Sequence, residues 1–318
     1  MSPSAGHPSL AGQRIVVTGA AGQLGRFLVP ALRAAGAEVN AFARRSGASI
    51  DTVVDLTDQD AVARAMGAAA PDVVIHAAAC TDVDGIERDP MRGELGNART
   101  TRHVAEAALR GGAYLLAVGT DMVFPGDGGA PYDEAGTVCP ISAYGRSKLA
   151  AERVALETDP RFAVARTAWL YGGAGKHFPR TVLTVLRERG VIDVVADEYG
   201  CPTFAGDLAA ALVRMAVVRG AGVFHLVNEG RASRFELARE TARLAGFDPD
   251  RVRPVSTTDF LARYPLPAPR PADGTLVNRR AAAMGVALRP WAEALAAYAP
   301  LLGRELGIAA DNVSIPGG

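Results

Sequence analysis

The 318-residue chain predicts an α/β fold: a doubly wound parallel sheet followed by a smaller C-terminal α+β lobe. Three observations carry this. Short runs rich in Val, Ile and Ala alternate with helix-length segments through the first half. The first of these runs feeds a glycine-rich turn that opens a helix. A later one, Val73, Val74 and Ile75, is wholly apolar, as a parallel strand covered on both faces should be. With 49% hydrophobic and 21% charged residues, the chain reads as globular and long enough for two domains or one domain with a lobe.

Residues 14–18 form the first expected strand and lead into Gly19, Ala20, Ala21, Gly22, Gln23, Leu24 and Gly25, then a helix to about residue 35. In a Rossmann-type unit such glycines let the backbone approach a pyrophosphate, and the helix N-terminus offers it free amides. Gly19, Gly22, Gln23 and Leu24 are therefore candidate cofactor residues, with a plain tight turn as the alternative. The second strand, 38–43, ends in Arg44 and Arg45 where an acidic residue would favour NAD. Arginine there suits the extra phosphate of NADPH, so Arg44 joins the candidates and NADH stays open.

Strand 52–55 and helix 57–69, with Thr57 as its cap, follow; Asp55 and Leu56 are also assigned to the cofactor. Strand 71–76 empties into Ala77, Ala78, Ala79 and Cys80, where small side chains leave room for a ligand at the carboxyl edge. His76 reads as a satisfied core residue. Residues 81–90 read as a polar loop and 91–110 as one long helix carrying Asn97, which either bridges helix and strand or caps nothing.

The fifth strand, 112–118, ends in Gly119, Thr120 and Asp121. Ser142 then opens a helix on which Tyr144 and Lys148, four residues apart, share one face. Of thirty-four basic residues only Lys148 and Lys176 are lysines. A compact ammonium at 148 can approach a phenol and a ribose hydroxyl as a guanidinium cannot. Thr120, Tyr144 and Lys148 are the candidate catalytic set, the last two also touching cofactor, with Lys148 expected to lower the phenol pKa from its usual value near 10.

Beyond this helix the reading gives a sixth strand at 162–166, a glycine-rich loop at 168–177 bearing Trp169, a helix at 178–189 and a strand at 191–195. A helix at 207–218 should return to the sheet, and 222–227 is strand-like. Ser233 to Glu236 forms a capping box for a helix to residue 245, a structural and not a chemical signal. The stretch 249–271 is proline-rich and brings Arg270, which either reaches a nucleotide diphosphate or lies on the surface. An amphipathic helix at 290–302 and a ten-residue tail close the chain. The expected domains are 1–170, binding dinucleotide with a helix in 205–220 returning to it, and 171–318, mainly binding substrate.

Lys+Arg and Asp+Glu both total 34, which gives no case for nucleic acid or an anionic membrane as partner. Cys80, Cys139 and Cys201 are odd in number and far apart, suiting a reducing compartment, and no carboxylate cluster predicts a metal. No apolar run spans a membrane, and residues 1–12 lack the pattern of a signal peptide and read as a loose tail. A cytoplasmic protein is expected, and a homodimer is compatible with all of this.

Together these residues resemble the extended short-chain dehydrogenase/reductases and, within them, the dTDP-4-dehydrorhamnose reductase family. The likeness rests on the glycine turn, Ala77 to Ala79, Thr120-Asp121-x-Val123-Phe124, Tyr144-Gly145-x-Ser147-Lys148, Arg166-Thr167-x-Trp169-Leu170-Tyr171, Asp197-x-Tyr199-Gly200-x-Pro202-Thr203 and Arg270-Pro271. It implies that Thr120, Tyr144 and Lys148 are catalytic, that Asp121 and Trp169 contact the sugar, and that a nucleotide-linked 4-keto-deoxyhexose is reduced at the expense of NADPH. The chain departs from the family at Met122, where tyrosine is usual, and at Asp84 to Glu87. Another 4-keto-deoxyhexose of natural-product synthesis, an epimerase or dehydratase on the same fold, and a non-catalytic dinucleotide-binding subunit are the other readings.

Overall fold

The computed structural model describes residues 9–128 and 131–308. Strand β1 (Arg14–Thr18) is followed by α1 (Gly25–Ala34), β2 (Glu38–Ala43), β3 (Thr52–Val53), α2 (Gln59–Ala69) and β4 (Val73–His76). Helices α3 (Val83–Arg88) and α4 (Pro90–Gly93), a π-helical turn at Glu94–Arg99 and α5 (Thr100–Arg110) lead to β5 (Tyr114–Thr120), α6 (Ala143–Thr158) and β6 (Ala163–Thr167). The second part runs through β7 (Leu170–Tyr171), α7 (Phe178–Arg189), β8 (Ile192–Val195), β9 (Tyr199–Gly200), β10 (Thr203–Phe204), α8 (Ala205–Val218) and β11 (Gly222–His225). It ends with β12 (Ala232–Ser233), α9 (Arg234–Leu244), β13 (Val252–Val255), α10 (Thr257–Arg263), α11 (Arg279–Ala283) and α12 (Trp291–Glu305).

Seven strands pair in parallel in the order β11-β6-β5-β4-β1-β2-β3. The two-residue period of a strand divides their side chains between two apolar layers. Ile15, Val17, Ile75 and Leu116 pack with Leu28 and Leu32 of α1 and Leu208, Leu212 and Met215 of α8. Val16, Val74 and Leu115 face the other way, against Val62 and Met66 of α2, Val104 and Ala108 of α5 and Ala155 of α6. Helix α8 thus returns to the sheet beside α1, and β11, read only as strand-like, is its seventh strand.

Several elements differ from the sequence reading. Asp58, not Thr57, caps α2, because the Thr57 amide and hydroxyl are both held by Asp55. The supposed loop 81–90 contains α3, whose N-terminus Asp82 caps through the Gly85 amide. The single helix expected over 91–110 is interrupted by the π turn, a register change that leaves the apolar pattern readable as continuous helix. The proline-rich segment holds β13, a parallel partner of β8 in a two-stranded sheet, where Pro254 is tolerated because no inner strand needs its missing amide. At the start of the chain Leu10 is buried and its amide bonds the Ala35 carbonyl, so the tail expected at 1–12 does not extend that far. Residues 1–8 and the expected C-terminal tail lie outside the described residues.

Candidate active site

β1 and β4 are neighbours whose connections run to opposite sides of the sheet, so a crevice opens between their carboxyl ends. A groove of about 560 Å³ lies there, lined by Gly19, Gly22, Arg44, Asp55, Leu56 and Ala77 to Ala79, among others. Glycine at 19 is required twice over. Its φ is +70°, and a Cβ would sit 2.7 Å from the Ala78 amide nitrogen. The loops after β1 and β4 can therefore approach closely and leave a cradle that fits a dinucleotide. Of the remaining turn residues, Gln23 donates to the Gly172 carbonyl at 3.0 Å, and Leu24 is buried in the apolar layer under the sheet. Neither lines the groove. Asp55 is held below the usual carboxylate range by the Thr57 amide and hydroxyl, with Arg44 adding to the effect.

His76 is buried between the Thr18 and Thr101 hydroxyls at 2.7 and 3.1 Å, and burial pushes it down to about 3, which keeps it neutral. It is a satisfied core residue. Its hydrogen bonds tie β4 to β1 and α5 directly beneath the groove.

Thr120 ends β5, and Tyr144 and Lys148 rise on the first turns of α6, all three buried. Ser142 caps α6 through the Gly145 amide at 3.1 Å, and Glu87 from α3 accepts from the Ala143 amide at 2.7 Å. A carboxylate at a helix N-terminus is favourably placed against its dipole. The Lys148 ammonium donates to the Val118 carbonyl at 2.7 Å. Burial brings it down to about 8, against the opposing pull of Glu152 one turn further on. The expected lowering of the Tyr144 phenol is not seen in this structure, and Lys148 is not among the groups that shift it. Burial, then the Asp121 charge, push the phenol up. Raised in this way, the phenol is protonated at neutral pH, the state from which a proton donor must start.

Asp121 is buried beside this set and accepts from the Thr120 hydroxyl at 3.1 Å. Burial raises it to about 6, opposed by that hydrogen bond and by Arg234. Around the phenol the wall is apolar, with Ile86 and Ala143 buried and Cys80, Val83 and Met122 partly so. Asn97 acts as the bridge that sequence left undecided. From the π turn its carboxamide accepts from the Cys80 amide at 2.8 Å and donates to the Cys80 carbonyl and the Ser147 hydroxyl at 3.2 and 2.9 Å. It thereby locks the loop after β4, which bounds the groove, to the helix that carries Tyr144.

Trp169 lies next to β7 with φ at +44°, a backbone conformation that costs an aromatic residue free energy and persists only where neighbours impose it. The neighbours are plain. A Cβ at Gly200 would stand 2.6 Å from the indole, and the Arg234 guanidinium lies 3.5 Å over the ring. Arg270, expected at the diphosphate or on the surface, pairs with Asp84 of α3 at 3.0 Å and donates to the nearby Ala268 carbonyl. Sequence reasoning missed Arg234 because its position inside a capping box gave a sufficient structural reason for the segment. It also missed the buried pair of Glu152 and Arg166, at 2.5 Å, although Glu152 stands four residues after Lys148.

Residues 13–302 match the family described as the RmlD substrate binding domain. The chain belongs to this family. Among RmlD-family relatives, a dTDP-4-dehydrorhamnose reductase of Mycolicibacterium smegmatis is 42% identical over 289 residues, covering 89% of this chain and 84% of the relative. A probable dTDP-4,6-dihydroxy-2-methyloxan-3-one 4-ketoreductase of Streptomyces antibioticus is 40% identical over 285 residues, covering 89% and 93%. The crystal structure of a dTDP-4-dehydrorhamnose reductase from Bacillus anthracis in complex with NADP superposes with a TM-score of 0.83 at 32% identity, covering 90% of this chain and 98% of that one. Among the described residues no group of three His, Cys, Asp or Glu side chains is placed to hold a metal ion, and no helix is long and apolar enough to cross a membrane.

Proposed function

We propose that this chain reduces the 4-keto group of a nucleotide-linked deoxyhexose with NADPH, as a dTDP-4-dehydrorhamnose reductase does. The observation that carries the reading is the convergence of Thr120, Tyr144 and Lys148 at the carboxyl edge of the sheet, next to a groove shaped for a dinucleotide. Gly19, Gly22, Ala77, Ala78, Ala79, Asp55 and Leu56 cradle the cofactor, Gln23 and Leu24 shape its glycine turn, and Arg44 meets the 2′-phosphate. When bound, NADPH supplies the hydride. Tyr144 donates its phenolic proton to the ketone oxygen, Thr120 orients that oxygen, and Lys148 holds the nicotinamide ribose. Asp121 and Trp169 take the sugar, with Arg270 on the diphosphate side.

A second reading, reduction of another dTDP-4-keto-deoxyhexose, is favoured by the apolar wall of Val83, Ile86 and Met122 around the phenol. With Met122 where the family usually has tyrosine, this wall offers the sugar one hydroxyl fewer than the rhamnose-type site. The test is NADPH oxidation by the purified chain given dTDP-4-keto-6-deoxyglucose with or without a C3/C5 epimerase. Oxidation that needs the epimerase supports the rhamnose-type reaction; oxidation without it supports the second reading. No oxidation in either arm removes both.

Cofactor choice gives a further expectation. Arg44→Ala should lower kcat/KM for NADPH about ten- to a hundredfold, the value of a charge-assisted hydrogen bond, and leave NADH nearly unchanged. Equal losses with both cofactors would remove Arg44 from phosphate recognition.

A further inference from the structure

Arg234 is the first residue of α9, and its backbone is fixed on both sides. Its amide bonds the Glu198 carbonyl, and Ser233 before it forms the reciprocal cap with Glu236. The side chain is thereby launched across the face of Trp169, 3.5 Å above the ring, with Phe178 at 5.3 Å. Its closest carboxylate is Glu198, 3.5 Å from Nε, a looser pairing than Arg231 with Asp273 at 2.9 Å or Arg270 with Asp84 at 3.0 Å. Neither Nη nitrogen has a hydrogen-bond acceptor among the described residues, although only 25% of the side chain is exposed. Its charge is felt by Asp121 and Arg270. Arg234 therefore lies over Trp169 and within electrostatic reach of Asp121 and Arg270, the three residues assigned to the substrate.

A guanidinium held flat on an indole keeps its in-plane donors free and has already given up most of its rotational freedom. Such a group favours an acceptor with two anionic oxygens in one plane, as a phosphate presents. Arg231 and Arg270 are closely paired with carboxylates, so of these three arginines Arg234 is the least neutralised. We propose that Arg234 is a specificity-determining residue whose guanidinium binds the diphosphate of the nucleotide-sugar beside Arg270. This rests on the nucleotide-sugar reading above.

The experiment is calorimetric titration of dTDP and of thymidine into the full chain, the Arg234→Met variant, which keeps an apolar stem on the indole, and the Arg234→Lys variant. The Met variant should bind dTDP about ten- to a hundredfold more weakly and thymidine within about threefold of the parent. Lys should restore part of the loss, and KM for the nucleotide-sugar should rise more than kcat falls. An unchanged dTDP affinity, or equal losses for dTDP and thymidine, would overturn the proposal while a parent chain still active as a reductase keeps the wider reading. A parent chain that does not bind dTDP would overturn both.

Discussion

Replacing Tyr144 by phenylalanine is expected to lower kcat by about a thousandfold or more and to leave NADPH affinity within about threefold. Proton transfer by a positioned side chain contributes about a hundred- to ten-thousandfold, and the phenol is the group assigned to it here. Burial and the neighbouring Asp121 charge hold it protonated, while Lys148 one turn on, brought down to about 8 by burial, bonds a backbone carbonyl and not the phenol. Removing one oxygen from a ring packed among Ile86, Ala143 and Met122 leaves that packing intact, so the loss should appear in turnover and not in stability. Steady-state kinetics with a fluorescence titration of NADPH separates the two. Turnover within tenfold of the parent would exclude Tyr144 as the acid.

The second large effect concerns the fold under the site. Glu152 and Arg166 form an ion pair at 2.5 Å with side chains only 6% and 4% exposed, and the guanidinium lies 5.0 Å over the Phe124 ring and 3.4 Å from His225. Such a pair contributes little net stability while whole, because desolvation offsets attraction. Broken, it leaves a charge with no partner in a region that also contains His225, pushed down to about 4 by burial and by Arg166 itself. Glu152→Ala should therefore cost about 3–5 kcal/mol in urea denaturation, whereas replacing both partners by Leu and Met should cost much less. A single-variant loss below about 1 kcal/mol would show that Arg166 finds another acceptor.

The sheet was readable because its signal is local and physical. The continuous apolar runs Val73 to Ile75 and Ile15 to Val17 state that both faces are covered, and the boundaries of β1, β2 and α7 follow. The groove was readable for the same reason: glycine and alanine at the ends of β1 and β4 are the residues that leave space. What failed to show was anything set by partners distant in sequence. β13 is a strand because β8 lies beside it, and its own residues, with Pro254 and an exposed Arg253, look like a loop. The π turn is defined by hydrogen-bond register, which composition does not record. Arg234 acquires its meaning from Trp169, sixty-five positions earlier, whose left-handed backbone has no signature in sequence. The Tyr144 pKa was expected in the wrong direction because proximity on a helix face was read without the burial that outweighs it.

The most direct test of the account follows the hydrogen. NADPH carrying deuterium at the transferable position is incubated with the purified chain and the dTDP-linked 4-keto sugar, and the product is examined by mass spectrometry and NMR. One deuterium per sugar is expected, at carbon 4, with one NADP+ formed for each. Product without deuterium, or label returned to the cofactor with no net oxidation, would contradict it and identify an epimerase or dehydratase on this fold.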